Sequence, residues 1–146
     1  MATIPQMLCP AELTSLHCGC MLMSDAMLIE DMACTGITFD TPAAITVMAD
    51  DITLDLNGYG IYNDLNDQTG YGVIGGGPDP LKGFTITNGE IGGFFFGVGI
   101  GFLFFVQDTP AAEYVTVSDV TFVENWIGVV LGPVSFGPFQ LRHSLY

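Results

Sequence analysis

Apolar and polar residues alternate in three segments of the chain, and the three segments resemble one another. They cover residues 52–58, 84–91 and 115–122. A period of two places alternate side chains on opposite faces of a β-strand, so each segment predicts a strand with one buried face. The residues predicted to fill the interior are Ile52, Leu54, Phe84, Ile86, Val115 and Val117.

Polar turn residues follow these strands at a constant interval. Asn57, Asn88 and Asp119 are evenly spaced (88 − 57 = 119 − 88 = 31), and a glycine-led apolar element starts nine positions after the last two, at Gly97 and Gly128. A repeat of this length, with strands and no helix-period segment, indicates a solenoid of β type. Stacking would place the three turn residues in a ladder at one corner, about 4.8 Å apart, where Asn tolerates a left-handed backbone.

The repeat also resembles a known family. The strings 54–58 (LDLNG), 88–91 (NGEI) and 125–131 (NWIGVVL) are similar to the parallel β-helix repeat of the pectin-lyase-like superfamily. The segment with Cys18, Gly19, Leu28, Asp31 and Cys34 resembles the entry segment that precedes the first coils in bacterial and algal members. The resemblance implies a right-handed parallel β-helix, and that superfold hosts lyases, hydrolases, adhesins and structural proteins.

The predicted fold class is therefore all-β, a parallel β-helix (solenoid) of about four coils. We expect an N-terminal entry or cap segment over residues 1–36 and coils over 37–131. Residues 132–146 are expected to form a last partial coil or a tail.

The four cysteines all lie in the first quarter of the chain and allow three pairings. The resemblance to the entry segment implies a Cys18–Cys34 disulfide, which leaves Cys9 and Cys20 for a second bridge. Disulfides indicate an oxidising compartment, so we expect an extracellular or cell-surface protein. Residues 1–6 have neither a basic region nor an apolar one, so no signal peptide is predicted in this sequence.

A soft-metal site is the alternative use of the same region. His17, Cys18, Cys20, Met21 and Met23 lie within seven residues, and imidazole, thiolate and thioether ligands suit Cu(I) or Zn(II). No second ligand pair follows at zinc-finger spacing. The sequence therefore favours disulfides and buried methionines.

The charge balance excludes several partners. The chain has 16 acidic residues against two basic ones, Lys82 and Arg142, for a net charge of −14. Two cations cannot neutralise a phosphate backbone, so nucleic acid and anionic membranes are not expected as partners. The longest apolar stretch, 91–106, is shorter than the ~20 residues that a membrane span needs.

The resemblance implies two possible enzyme chemistries. Lyases of this fold use an Arg or Lys base beside Ca²⁺, and hydrolases use clustered Asp carboxylates. Neither Lys82 nor Arg142 lies on a repeat strand, so no catalytic residue is predicted. Carboxylates are present that could act as an acid and base pair on a glycan, although turn and outward strand positions also account for them. They are Asp50, Asp51, Asp55, Asp119 and Glu124.

The loop inserted over residues 62–71 offers oxygen ligands. Asp64, Asn66 and Asp67 are weak candidates for Ca²⁺. The loop departs from the EF-hand pattern, because Gly70 comes one residue late and Gly75 stands where a bidentate Glu is needed. No metal site or cofactor is therefore predicted, with calcium as the open alternative.

Outward positions of the repeated strand carry small polar side chains: Thr53, Asp55, Thr85, Thr87, Thr116 and Ser118. Stacked, they would form a flat two-column face suited to an ordered ligand such as a polysaccharide or ice. The preference of β-branched Thr for strands also explains them. This face is the expected location of any binding surface.

The leading hypothesis for function is a non-catalytic extracellular or surface β-helix module with a structural, adhesive or glycan-contacting role. One alternative is a fragment of a polysaccharide lyase or glycoside hydrolase whose site lies on absent coils. Another is a self-associating fibril subunit that stacks end to end through exposed terminal coils.

Overall fold

A computed structural model describes residues 7–35, 37, 43–64, 68–75, 81–100, 112–131 and 140–142. Most of these residues belong to β-strands, and Ser15–His17 form a short 3₁₀ turn. The strands are β1 (Glu12–Leu13), β2 (Cys20–Leu22), β3 (Ala26–Leu28), β4 (Met32–Cys34), β5 (Ala43–Val47), β6 (Thr53–Asp55), β7 (Gly60–Asn63), β8 (Tyr71–Gly75), β9 (Leu81–Lys82), β10 (Thr85–Gly92), β11 (Phe96–Ile100), β12 (Ala112–Glu113), β13 (Thr116–Val123), β14 (Ile127–Leu131) and β15 (Gln140–Arg142).

The strands assemble into parallel sheets that do not close. One sheet has eight strands and contains β6, β7, β10 and β13, and a second has the order β14-β11-β8-β5-β2. The short strands β9 and β12 form a separate pair. The predicted all-β class is confirmed by this strand content. In the described ranges, no helix has the length and apolar character needed to cross a membrane.

Each main strand pairs with its equivalent one repeat further along the chain. Ile86 lies between Leu54 and Val117 in the eight-stranded sheet. In the other sheet Val98 lies between Val73 and Val129. Parallel pairing of this kind stacks equivalent side chains directly on one another, so the sequence repeat is also a structural repeat.

The repeat interval is less uniform than the sequence predicts. It is constant along the whole β10–β13 pair, from Thr85 facing Thr116 to Glu90 facing Thr121. In the preceding pair of repeats, Thr85 faces Thr53 and Glu90 faces Gly60. Compared with the interval of 31 residues between β10 and β13, the interval here is one residue longer before the corner and one residue shorter after it. The difference arises because residues 56–59 form a connection between β6 and β7, whereas β10 continues through the corner as one strand. The prediction of one constant interval is therefore wrong for this pair of repeats.

The predicted corner residues do adopt a left-handed backbone. The φ angles are 54° at Asn57, 68° at Asn88 and 55° at Asp119. The two asparagine side chains form hydrogen bonds with other residues of neighbouring repeats. The Asn57 amide donates to the carbonyl of Leu28 at 3.1 Å, and the Asn88 amide donates to Asp55 at 3.4 Å.

The hydrophobic core lies between the two main sheets. The six residues predicted to fill the interior are all at most 2% exposed. The five-stranded sheet adds Ile45, Val73 and Val98, and Phe94 fills the space at a corner. Burial of one such side chain contributes about 1.5–3 kcal/mol, so the alternating pattern is the main source of stability.

The predicted entry segment contributes strands to both sheets. Cys20 of β2 pairs with Ile45, Ala26 of β3 pairs with Leu54, and Met32 of β4 pairs with Ile61. Its apolar residues are part of the same core, including Leu13, Leu22 and Leu28.

Two disulfides link the N-terminal strands. They join Cys9 to Cys20 and Cys18 to Cys34, with Cα–Cα distances of 5.0 and 5.7 Å. The second is the pairing that the family resemblance implied. Because Cys18 lies inside the loop closed by the first bridge, the two closed loops overlap.

A corner amide links two successive repeats. The Asn125 side chain accepts a hydrogen bond from the backbone N–H of Phe94 at 2.9 Å and donates to the carbonyl of Ile91, also at 2.9 Å. Both backbone groups belong to buried residues. The amide thus satisfies a donor and an acceptor at the point where the chain leaves one sheet for the other.

Replacement of Asn125 by Ala is expected to lower the free energy of unfolding by about 2 kcal/mol or more, because the two backbone groups lose their partners. Chemical denaturation followed by circular dichroism measures this change. Asn125→Gln keeps both the acceptor for Phe94 and the donor for Ile91 on a longer side chain and is the matched control, with a smaller expected loss. An unchanged midpoint for Asn125→Ala would contradict the proposed role.

Removal of the Cys18–Cys34 bridge by the double change Cys18→Ala/Cys34→Ala is expected to cost about 3 kcal/mol in the chain-entropy description. The bridge spans 16 residues, whereas Cys9–Cys20 spans 11, so Cys9→Ala/Cys20→Ala is expected to cost slightly less. Urea unfolding under non-reducing conditions compares the three proteins. Equal midpoints for all three would show that neither bridge stabilises the fold.

Candidate functional site

The register brings the six predicted surface residues together in two columns. Thr53, Thr85 and Thr116 face one another in the first column. The second column contains Asp55, Thr87 and Ser118. Thr53 is exposed and the other five are half-buried. We refer to these six residues as the hydroxyl face.

The second column of the hydroxyl face is bonded internally. The hydroxyl groups of Thr87 and Ser118 lie 3.0 Å apart, and Asp55 accepts a hydrogen bond from the backbone N–H of Asn57 at 2.7 Å. These bonds hold the column in one conformation. A surface ordered in advance loses little conformational entropy when it meets a ligand.

Neighbouring strands set the limits of the hydroxyl face. Met27 of β3 pairs with Asp55, and its side chain is 39% exposed, so an apolar residue ends the face on one side. On the other side β15 pairs with β13 and places Arg142 opposite Ser118, so the expectation that Arg142 lies off the repeat strands is wrong.

The carboxylates considered as an acid and base pair have structural roles. Asp50 accepts a hydrogen bond from the backbone N–H of Lys82 at 3.0 Å. Asp51, Asp119 and Glu124 have φ angles of 57°, 55° and 54°, so all three are corner residues with a left-handed backbone. Their arrangement is that of turn residues.

A second surface feature, absent from the sequence-based predictions, is an acidic groove with a volume of about 690 Å³. Its lining includes Asp31, Tyr62, Asp64, Glu90, Gly92 and Glu124. Its floor is the outward side of the column in which Ala33 pairs with Tyr62, Tyr62 with Gly92, and Gly92 with Val123. Gly92 keeps this floor low, because a β-carbon there would overlap Val123.

Tyr62 is fixed within the acidic groove by its neighbours. Its ring passes directly over Gly60, where any β-carbon would overlap the ring, and its hydroxyl donates to Glu90 Oε1 at 2.7 Å. Burial raises the pKa of the Tyr62 phenol well above its ordinary value. The hydrogen bond to Glu90 and the negative charges of Glu90 and Asp31 raise it further.

Aromatic rings cluster at the corner that follows the groove. The Phe95 ring lies 5.5 Å from Trp126 and 4.6 Å from Phe96, and Phe96 stacks on Tyr71 at 5.6 Å. Trp126 is 67% exposed. We call these four residues the aromatic corner, which lies close in the chain to the groove residues Gly93 and Glu124.

The residues considered as an alternative soft-metal site are not assembled into one within the described part of the chain. Cys18 and Cys20 are in disulfides, and His17 Nδ1 accepts a hydrogen bond from the backbone N–H of Thr14 at 3.0 Å. Met21 is half-buried, and Met23 is 50% exposed, so the expectation of a buried methionine is wrong at Met23. Across the described residues, no three His, Cys, Asp or Glu side chains are arranged to hold one metal ion.

The calcium candidates are only partly described. Asp64 is exposed and lines the acidic groove, whereas Asn66 and Asp67 lie outside the described residues.

The groove could have been found by extending the repeat analysis past the corner. The outward positions after it are Tyr62, Gly92 and Val123, which follow one another at nearly the interval of the repeat. A large aromatic residue stacked beside glycine in such a column indicates a depression in the surface. Only the structure shows that Asp31, from the predicted entry segment, joins them.

No family model, curated protein or solved structure matches this chain. The geometry of the hydroxyl face and the groove is therefore the basis on which a function is inferred.

The Glu90→Gln variant is expected to lower the pKa of Tyr62 without returning it to the ordinary value of 10.0, because burial, the largest cause of the shift, persists. Titration of the phenolate absorbance measures this change, and Tyr62→Phe assigns the signal. Glu12→Gln, an exposed carboxylate outside the groove, is the control. An unchanged titration in Glu90→Gln would contradict the described contact.

The same shift links Tyr62 to alkaline stability. The fold favours the neutral phenol, so this group's contribution to stability is complete below the ordinary pKa of 10.0 and is lost as pH rises towards the raised pKa. Tyr62→Phe should therefore lose less stability than the wild type over this alkaline range. Urea unfolding at a series of alkaline pH values measures the difference.

Proposed function

We propose that this chain is a right-handed parallel β-helix module of the pectin-lyase-like kind that contacts glycans without cleaving them. It would act outside the cell or on its surface. The observation that carries the proposal is the in-register stacking of the hydroxyl face over three successive strands, β6, β10 and β13.

The order in which the chain visits the sheets supports the solenoid. From β6 and β7 it passes to β8, from β10 to β11, and from β13 to β14. Each time it moves from the eight-stranded sheet to the five-stranded one, and each new strand pairs in parallel with its predecessor. A chain that winds through the same sheets in the same order is typical of a β-helix.

The chemistry of the hydroxyl face suits a sugar chain. Threonine and serine hydroxyl groups both donate and accept hydrogen bonds, as sugar hydroxyl groups do. Successive strands repeat them about every 4.8 Å, and Asp55 adds a charged acceptor that forms stronger hydrogen bonds. The result is a flat surface whose polar groups repeat in one direction, as the groups of a polysaccharide do.

The roles of the five carboxylates that the sequence offers as an acid and base pair support contact in preference to hydrolysis by those residues. Asp50 and Asp55 accept hydrogen bonds from backbone N–H groups, and Asp51, Asp119 and Glu124 form corners. A general acid and base need carboxylates directed at one bond of the substrate. The two disulfides support a place outside the cell.

The double variant Thr85→Lys/Thr116→Lys is expected to reduce binding to any neutral oligosaccharide recognised by the wild type at least tenfold, because two long cationic side chains would stand on the flat face. A glycan array followed by calorimetry on the positive sugars measures this. Thr46→Lys, at a half-buried threonine on β5 of the other sheet, is the control for one added lysine away from the face. Circular dichroism verifies the fold of each variant.

Unchanged binding in the double variant would place the glycan elsewhere and contradict the role of this face. Thermal hysteresis in the wild type, lost in the double variant and without glycan binding, would assign the face to ice instead.

A further inference from the structure

We propose that the acidic groove is a second sugar-binding site, selective for oligosaccharides of amino sugars that carry free ammonium groups. The inference rests on the proposed glycan-contacting function and assigns a ligand class to a different surface of the same module.

The groove has the shape of an elongated site. Its lining residues come from four successive parallel strands or the turns beside them: Ala33 on β4, Tyr62 on β7, Gly92 on β10 and Val123 on β13. With strands about 4.8 Å apart, the floor extends about 14 Å along the stack. A volume of about 690 Å³ over this length accommodates several sugar units in a row.

Tyr62 provides an aromatic surface within the groove. Its ring is half-exposed and is held by Gly60 beneath it and by the hydrogen bond to Glu90. An aromatic ring fixed in this way offers an apolar face to the C–H groups of a sugar and attracts a nearby cation through its π electrons. The exposed Trp126 ring lies at the next corner and offers a further surface of the same kind.

The charges around the groove select the class of sugar. Four carboxylates line it, those of Asp31, Asp64, Glu90 and Glu124, and the described residues of the lining include no Lys or Arg. In a chain with a net charge of −14, uronate or sulfated sugars are repelled and ammonium groups are attracted.

The carboxylates can serve the fold and a ligand together. Asp31 Oδ1 accepts a hydrogen bond from the backbone N–H of Gly60 at 2.9 Å, and Glu90 Oε1 accepts one from Tyr62. Each carboxylate has a second oxygen that can accept a bond from a ligand ammonium. The contacts already present hold these carboxylates in position.

The arrangement favours spaced positive charges over a single metal ion. Among the described side chains no three acidic groups are arranged to hold one metal ion. The four carboxylates belong to four stacked strands or the turns beside them, β4, β7, β10 and β13, and are therefore distributed along the groove. A ligand with one ammonium group on each successive sugar matches this distribution.

The paired floor argues against an extended peptide. Because β10 is paired with both β7 and β13, the floor of the groove offers no free strand edge along β10 to which a peptide could add.

Calorimetry with a fully deacetylated glucosamine hexamer tests the inference, with the N-acetylated hexamer as the neutral ligand and a galacturonate hexamer as the anionic one. We expect the wild type to bind the ammonium-bearing hexamer at least tenfold more tightly than either. We expect Glu90→Gln/Asp64→Asn to reduce this preference at least fivefold.

The matched control is Glu12→Gln/Asp119→Asn, which makes the same change in net charge at exposed positions outside the groove. It is expected to retain the preference, as is Thr85→Lys/Thr116→Lys. Equal loss in the groove variant and in the charge-matched control would show general attraction to an acidic protein and would overturn the inference.

The remaining outcomes separate the two proposals. Binding of neutral sugars through the hydroxyl face, without binding of the ammonium-bearing hexamer, overturns the groove inference alone. Absence of binding to every sugar tested overturns both. Tighter binding of a lysine oligopeptide through Glu90 and Asp64 would make the groove a peptide site and overturn the proposed ligand class.

Discussion

Parallel, in-register pairing between successive repeats is the constraint on which the rest of this structure depends. When Ile86 pairs with both Leu54 and Val117, the inward side chains of three strands must stack in one column, and so must the outward ones beside them. The same pairing therefore builds the core, the hydroxyl face and the floor of the acidic groove. An outward residue is repeated in space only because the inward residue beside it is buried in the core.

The corners need a different solution, because strand pairing does not satisfy every backbone group there. Acidic side chains of one repeat accept hydrogen bonds from backbone N–H groups of the next: Asp25 from Thr53 at 2.8 Å and Asp50 from Lys82 at 3.0 Å. The Asn125 amide plays a similar part between its own repeat and the preceding one. Some of the acidic residues are thus required by the structure. The number of carboxylates in the sequence is therefore poor evidence for a catalytic acid and base pair.

Alternation of apolar residues was sufficient to predict the core positions and the stacking of Thr85 on Thr116, because period-two burial leaves little freedom of register. The sequence predicted a corner at Asn57 but could not show that the repeat interval shortens by two positions across residues 56–59. It also could not show the groove, which depends on where the Tyr62 ring points and on Asp31 from a distant segment. A local sequence pattern contains no information about the change of interval or about contacts between distant segments.

The overlapping disulfides make the N-terminal strands covalently cross-linked, unlike the later strands. The loop from Cys9 to Cys20 and the loop from Cys18 to Cys34 share residues 18–20, so the two bonds together cross-link the whole segment from Cys9 to Cys34. The strands β2 and β4 are thereby tied together covalently, and strands such as β11 and β14 are held by noncovalent contacts alone. We therefore expect strands such as β14 to separate before β2 and β4 on heating, and the cross-linked segment to remain as a surface on which they can pair again.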